Sequence, residues 1–317
     1  MKTFLQDHLS RVMSLAIGAA FVFNFTNNAV EAAGGDACKA TTKAAAKGCA
    51  AGAKADYALA LGKCANIADP TEQKACQDQA KADLQDALGE CKDQADARDA
   101  VCSRLGPAAY DPVINPSNFV ASIDNPFMPL TPGTTFVYVD ANGTGNESNV
   151  VAVTHNTKVI AGVTCIEVHD VVYADGVLTE DTRDWFAQDT AGNVWYFGEN
   201  SQEIEDGLPV SLEGSWMTGV DGGHPGIIMK ANPTMGDFYR QEFLLGTAED
   251  LAEVVSLTES VTVPLGTFMN CLKTEETSPL EPDALEHKFY KAGVGEVLEV
   301  DEETGERSEL VQVLTGQ

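Results

Sequence analysis

Cations are scarce in this 317-residue chain: Lys and Arg together number 20 against 48 Asp and Glu, a formal net charge of −28. Such a balance repels nucleic acid and anionic membrane surfaces, and it favours basic partners or a weakly held divalent cation. Catalytic signatures are missing too. No G-x-S-x-G, H-E-x-x-H, P-loop or dinucleotide glycine pattern occurs, and the eight Cys form no CxxC, CxxCH or zinc-spaced set. A hydrolytic enzyme is therefore the least favoured class, and no cofactor is expected.

A long apolar run is also lacking. "VMSLAIGAAFVF" (12–23) is too short to span a bilayer comfortably, but it follows Lys2 and Arg11 and precedes "VEA" at 30–32. That order reads as an export signal over 1–32 with cleavage after Ala32. The expectation is a mature chain, 33–317, with no transmembrane segment, in the periplasm or outside the cell. An even number of cysteines after cleavage fits an oxidising compartment.

Residues 33–105 have almost no aromatics, only Tyr57, and 21 Ala. This is helix composition. The six cysteines here, at 38, 49, 64, 76, 91 and 102, are separated by 11, 15, 12, 15 and 11 residues, a palindrome centred on Pro70. Steps of 11 and 15 keep each arm's cysteines on one stripe of a helix. Asp69 suits an N-cap, Pro70 the first helical position and Glu72 the third. The expected structure is an antiparallel helical hairpin with nested rungs Cys64–Cys76, Cys49–Cys91 and Cys38–Cys102. Small residues (Ala45, Ala53, Ala60, Ala80, Ala87, Ala95) on the same stripe would allow the close approach that disulfides require.

Residues 106–132 hold six of the 13 prolines and read as an extended linker lying on the next domain. From 133 to 317 the pattern turns to Val, Thr and aromatic runs with hairpin signals such as "ADG" (174–176) and "TAGN" (190–193). Net charge divides likewise, −2 over 33–111 and −26 over 112–317. The fold class is α+β: a disulfide-stapled helical hairpin followed by an acidic antiparallel β half-barrel or curved sheet.

Four phrases of the β domain, "NPFMPLTPGTTFVY", "DWFAQDTAGNVWYFGE", "VPLGTFMNCLKT" and "YKAGVGEVLEV", resemble exported bacterial proteins of unassigned activity. The last two are similar to strands of half-barrel domains related to the lipoprotein-carrier (LolA-like) fold. The resemblance spans roughly 124–300 and implies a carrier-like architecture, in which an apolar concave face can hold an acyl chain.

Candidate site residues are few. Cys165 and Cys271, each in mid-strand, are expected to form a fourth disulfide. Glu167 and His169 share a strand face, as a metal pair would, although exposed polar alternation explains them equally. Loop 140–147 has the oxygen side chains of a weak cation site and reads as an ordinary hairpin loop. Glu180, Asp181 and Asp184 read as a solvated edge, and His224 as a loop residue. Trp185, Trp195, Tyr196 and Trp216 are candidate ligand contacts. Because neighbours alternate along a strand, one aromatic set must face away from the core and needs a ligand, a partner or a covering segment. Two functions lead: an exported non-catalytic binding protein with an apolar groove for a small molecule or lipid, and a structural or interaction protein of the envelope. In the second, the hairpin serves as spacer or as an arm for a protein partner.

Overall fold

Two helices open the described part of the chain, residues 35–141 and 146–316 of a computed structural model. The leader expected over 1–32 and residues 142–145 of loop 140–147 lie outside the described residues. Helix α1 (Ala37–Ala65) starts where the Asp36 carboxylate accepts from Lys39 N. Helix α2 (Pro70–Leu105) starts where Asp69 accepts from Thr71 N and Glu72 N, with Pro70 in the first turn. It stops at Gly106, whose φ of 93° favours glycine. The arms are 29 and 36 residues long, roughly 43 and 54 Å at the α-helical rise.

All three nested rungs form: Cys38–Cys102, Cys49–Cys91 and Cys64–Cys76, with Cα separations of 5.6, 5.7 and 5.6 Å. The six stripe alanines are buried or half-buried between the arms, while the opposite faces are exposed. An apolar interface this thin cannot offset the ordering of 65 helical residues; the cross-links supply the difference.

The remainder is one antiparallel sheet. Its first strands are β1 (Phe119–Val120), β2 (Thr134–Asp140), β3 (Glu147–Ile160), β4 (Val163–Ala174), β5 (Val177–Asp189) and β6 (Val194–Asn200). Short strands follow: β7 (Glu203–Glu205), β8 (Leu208–Ser211), β9 (Trp216–Met217), β10 (His224–Met229), β11 (Phe238–Arg240) and β12 (Glu242–Phe243). A second meander completes it: β13 (Leu251–Val263), β14 (Gly266–Ser278), β15 (Glu281–Lys291), β16 (Gly295–Asp301) and β17 (Arg307–Thr315). The last strand, β17, pairs with β2 and joins the two meanders. The far ends meet through β10, which pairs with β6 and β12, and through β11, which pairs with β13. The curved sheet thus closes further than a half-barrel, into a nearly complete barrel. His224 opens β10 rather than sitting in a loop. Tight turns use left-handed pairs such as Asp175–Gly176, φ 52° and 79°, the geometry that two-residue hairpins require.

Alternation divides the side chains between two faces. The inner face carries the main core, including Phe136, Val153, Ile166, Val168, Phe186, Leu272 and Leu310. A smaller outer cluster holds Ile160, Val163, Cys165, Trp185, Ala187 and Phe197. The expected Cys165–Cys271 disulfide is not formed: both are buried free thiols. Cys165 belongs to the outer cluster and Cys271 to the main core. Their strands, β4 and β14, are separated around the sheet by β15, β16, β17, β2 and β3.

Asp36–Gln317 form one compact unit, and the last turns of α2 show how. Arg98 donates from Nε and Nη2 to the Glu249 carboxylate at 2.9 and 2.6 Å. The two side chains are 5% and 1% exposed. Gly246 N also donates to Glu249, at 2.8 Å. Gln94 donates to Leu280 O, and Arg104 pairs with Glu253 at 2.7 Å while its guanidinium lies 3.7 Å over the Phe238 ring. The hairpin is therefore anchored at the end remote from its turn.

Candidate functional site on the inner face

The aromatic doublets are sorted by strand alternation. On β5, Phe186 points inward and Trp185 outward; on β6, Tyr196 points inward, and Trp195 and Phe197 outward. Phe186 pairs with Tyr196 in register and stacks on it, centroids 4.7 Å apart. Trp216 meets the Tyr196 ring edge-on at 5.5 Å. Of the four expected ligand contacts, the fold brings together Tyr196 and Trp216 on the inner face, and sets Trp185 and Trp195 on the outer one.

The outer set has a cover. Ile114 and Phe119 of the proline-rich segment pack on it, and β1 pairs with β5 through Phe119–Asp189 and Val120–Gln188. The Phe119 ring stands edge-on to Trp195 at 6.3 Å and to Phe197 at 5.4 Å. Lys158 Nζ lies 3.5 Å from the centre of the Trp185 ring, and Trp195 Nε1 donates to Asp189 at 2.9 Å. A strap of the protein's own chain occupies the face where a ligand could have been sought. Between the sets, Gly198 lets β9 approach: a Cβ there would lie 2.6 Å from Trp216 O. Its φ of 145° is closed to most L-residues.

Glu167 and His169 do share a face, the outer one, but each is engaged separately. Glu167 accepts from Asn156 Nδ2 at 3.0 Å, and His169 Nε2 is 3.0 Å from Asp181 Oδ1. Among the described residues no three His, Cys, Asp or Glu side chains are grouped to hold a metal ion. Loop 140–147 is described only in part.

The inner face contains a feature the sequence reading missed. Asp184, expected on a solvated edge, is buried, and Tyr196 donates its hydroxyl to it at 2.5 Å. Burial, followed by the charges of Glu199 and Asp170, pushes its carboxyl well up. Asp170 is raised likewise, by burial and by Glu180 and Glu299. Across the sheet, Lys288 is 3% exposed and lies 3.1 Å from Glu276, 3.2 Å from Glu286 and 3.6 Å from Glu299. Burial alone would depress the Lys288 ammonium; Glu276, Glu299 and Glu286 more than reverse that. Burial and the Glu299 charge raise Glu286 to about 7 and Glu296 to about 8. Tyr138, which donates to Glu296 O at 3.2 Å, bridges the groups: its phenol is pushed up by burial and by Glu296, Asp170 and Glu299.

The signal for this cluster was present in the alternation. Asp184 lies two residues from Phe186 on β5, and Thr182, Asp184 and Phe186 are all buried. Sequence reading defaults to placing carboxylates outside, because charged groups are rarely buried. Buried, mutually perturbed carboxyls mark candidate functional sites.

No family model matches the chain, and no curated protein matches it. Among solved structures, it is similar to a Bacteroides fragilis protein named as exported with a YmcC-like fold. The two share 16% identity and a TM-score of 0.35 over 60% of this chain and 99% of that one. A protein named as a lipoprotein from Parabacteroides distasonis gives 16% identity and a TM-score of 0.34, over 59% of this chain and 98% of that one. Likeness at this level assigns no activity.

Proposed function

We propose that the protein is an exported, non-catalytic binding protein whose ligand lies against the inner face of the barrel. One observation carries this reading. Asn149 Oδ1, Trp216 Nε1 and the Tyr239 hydroxyl are buried without a hydrogen-bond partner in the protein, and Trp216 and Tyr239 belong to the inner core. Each buried unsatisfied group costs about 1–3 kcal/mol, which a ligand bearing the complementary groups relieves. The Phe186–Tyr196–Trp216 surface supports an apolar body for that ligand, and the adjacent acids support a polar head. Export is supported by the three disulfides. No helix among the described residues is long and apolar enough to cross a membrane.

Native mass spectrometry of the protein from its own host tests the reading. The expected result is a mass above the bare chain that is lost on denaturation. Stripping the ligand should lower the melting temperature and adding it back should restore it, with about 2.7 kcal/mol regained at a hundredfold excess over Kd. Trp216→Ala should abolish the recovery. A bare chain, with no added compound raising the melting temperature, would overturn it.

A second reading, the hairpin as spacer or partner arm, is favoured by the position of the anchor. Arg98 fixes one end of α2, while residues 68–72 around the turn are exposed. Loss of a partner in a pull-down after Asp69 and Pro70 are replaced, with the barrel's stability unchanged, is the outcome this reading expects.

A further inference from the structure

We propose that the inner face of the barrel binds a protonated amine with an apolar body, its ammonium held between Asp184 and Asp170, diagonal neighbours on β5 and β4, with Asn149 Oδ1, diagonal to Asp170 on β3, accepting one of its N–H bonds. This rests on the binding-protein reading above and names the ligand's chemistry.

Three features of the same face carry the inference. First, the face already holds one ammonium, that of Lys288, ringed by Glu276, Glu286 and Glu299 within 3.6 Å. Carboxylate cradles of this kind suit an NH3+ group, whose three donors can each find an acceptor. Second, Asn149 is 9% exposed, its side chain hydrogen-bonds Asp170, and its Oδ1 has no partner. A buried acceptor among carboxylates selects a donor, not another acceptor. Asn149 lies opposite Tyr138 in the β2–β3 register, and Tyr138 feels the charges of Glu296, Asp170 and Glu299. The acceptor is therefore within the cluster and not beside it. Third, Tyr196 links the acids to the aromatic surface: its hydroxyl donates to Asp184, and its ring stacks on Phe186 and meets Trp216 edge-on. An ammonium near Asp184 would carry its hydrocarbon onto those rings, which also attract cations. A bare metal ion fits less well, since no three His, Cys, Asp or Glu side chains among the described residues are grouped to ligate one.

The test compares ligands that share a chain and differ in head group. Octylamine, octanol and octanoate are titrated calorimetrically into the full exported protein in about 0.3 M salt, which screens attraction to the acidic exterior. Octylamine should bind with one-to-one stoichiometry, at least tenfold tighter than octanol, and octanoate should not bind. Asp184→Asn and Asn149→Leu should each weaken octylamine tenfold or more and octanol distinctly less, with folding verified by circular dichroism. Should one variant fail to fold, the other decides. Equal affinity for octylamine and octanol, or no loss in a folded variant, would overturn the amine assignment. Binding of octanoate in preference to octylamine would overturn it while leaving the binding-protein reading intact. A bare chain in native mass spectrometry, together with no heat from any of the three, would remove both.

Discussion

The hairpin and the barrel solve the same entropic problem by opposite means. The hairpin, residues 37–105, has one aromatic, a near-balanced charge and three covalent rungs. The barrel has all three Trp, nearly all of the −28 charge and no disulfide among its described residues. In the hairpin, cross-links limit what the unfolded chain can explore. In the barrel, two apolar clusters remove enough surface from water to offset ordering. The contrast teaches that the acidic interior is tolerable because the barrel's core is large; the hairpin has no margin for such a burden.

The comparison breaks most visibly under reductant. Opening three rungs, each worth about 2–4 kcal/mol, should abolish most helical ellipticity at 222 nm, while the near-ultraviolet signal of Trp185, Trp195 and Trp216 persists. A simultaneous loss of both signals would mean that the barrel depends on the stapled rod.

Next in size is the joint. Glu249→Ala leaves Arg98 buried without its carboxylate and should cost about 3–5 kcal/mol, splitting a single calorimetric transition into two. Replacing both partners, Arg98→Met with Glu249→Leu, should recover most of that loss.

The barrel alone should respond to pH. Glu286 at about 7 and Glu296 at about 8 lie above the ordinary 4.5, so the folded barrel holds protons that the unfolded chain releases. Stability is then full below pH 4.5 and falls as pH rises through 7 and 8. Its melting temperature should drop between pH 5 and pH 8.5, by about 2–4 °C for each kcal/mol lost. Lowering Lys288's company by Glu286→Gln should flatten the slope. The intact hairpin, whose charges apart from Arg98 are exposed or half-exposed, should show little of it.

The smallest effect is expected at the turn. Asp69→Ala removes two capping bonds and should cost about 1 kcal/mol, visible in hydrogen exchange near the turn and not in the barrel.

How much was readable in the sequence follows the same division. Cysteine spacing fixes a helical hairpin almost uniquely, because period and palindrome are one-dimensional facts; all three rungs and the Asp69 cap form as expected. The β class and its hairpin turns were readable from alternation and Asp-Gly pairs. Which strands meet around a closed sheet is not local information, so Cys165 and Cys271 were paired wrongly. The same lack concealed Asp184: its inward direction depends on Phe186 facing the core, and its neighbours Glu199 and Asp170 come from β6 and β4, Asp170 in turn feeling Glu299, over a hundred residues later. The proline-rich segment was expected to lie on the next domain, and a covering segment was one of three covers the outer aromatics would need; that the first supplies the second depends on β1 pairing with β5.

The pairing of β17 with β2 also dictates an order of assembly. The hairpin can fold as soon as it emerges, closing the 12-residue Cys64–Cys76 loop before the wider ones of 42 and 64. The barrel cannot. Its first long strand has to wait for its last, some 170 residues later, and until then the strap, the rings beneath it and the acidic interior all lie open to the compartment. A chain that crosses a membrane from its N-terminus would thus arrive with a finished rod and an unfinished vessel, and any inner-face ligand could be enclosed at the moment the C-terminal strand locks in place.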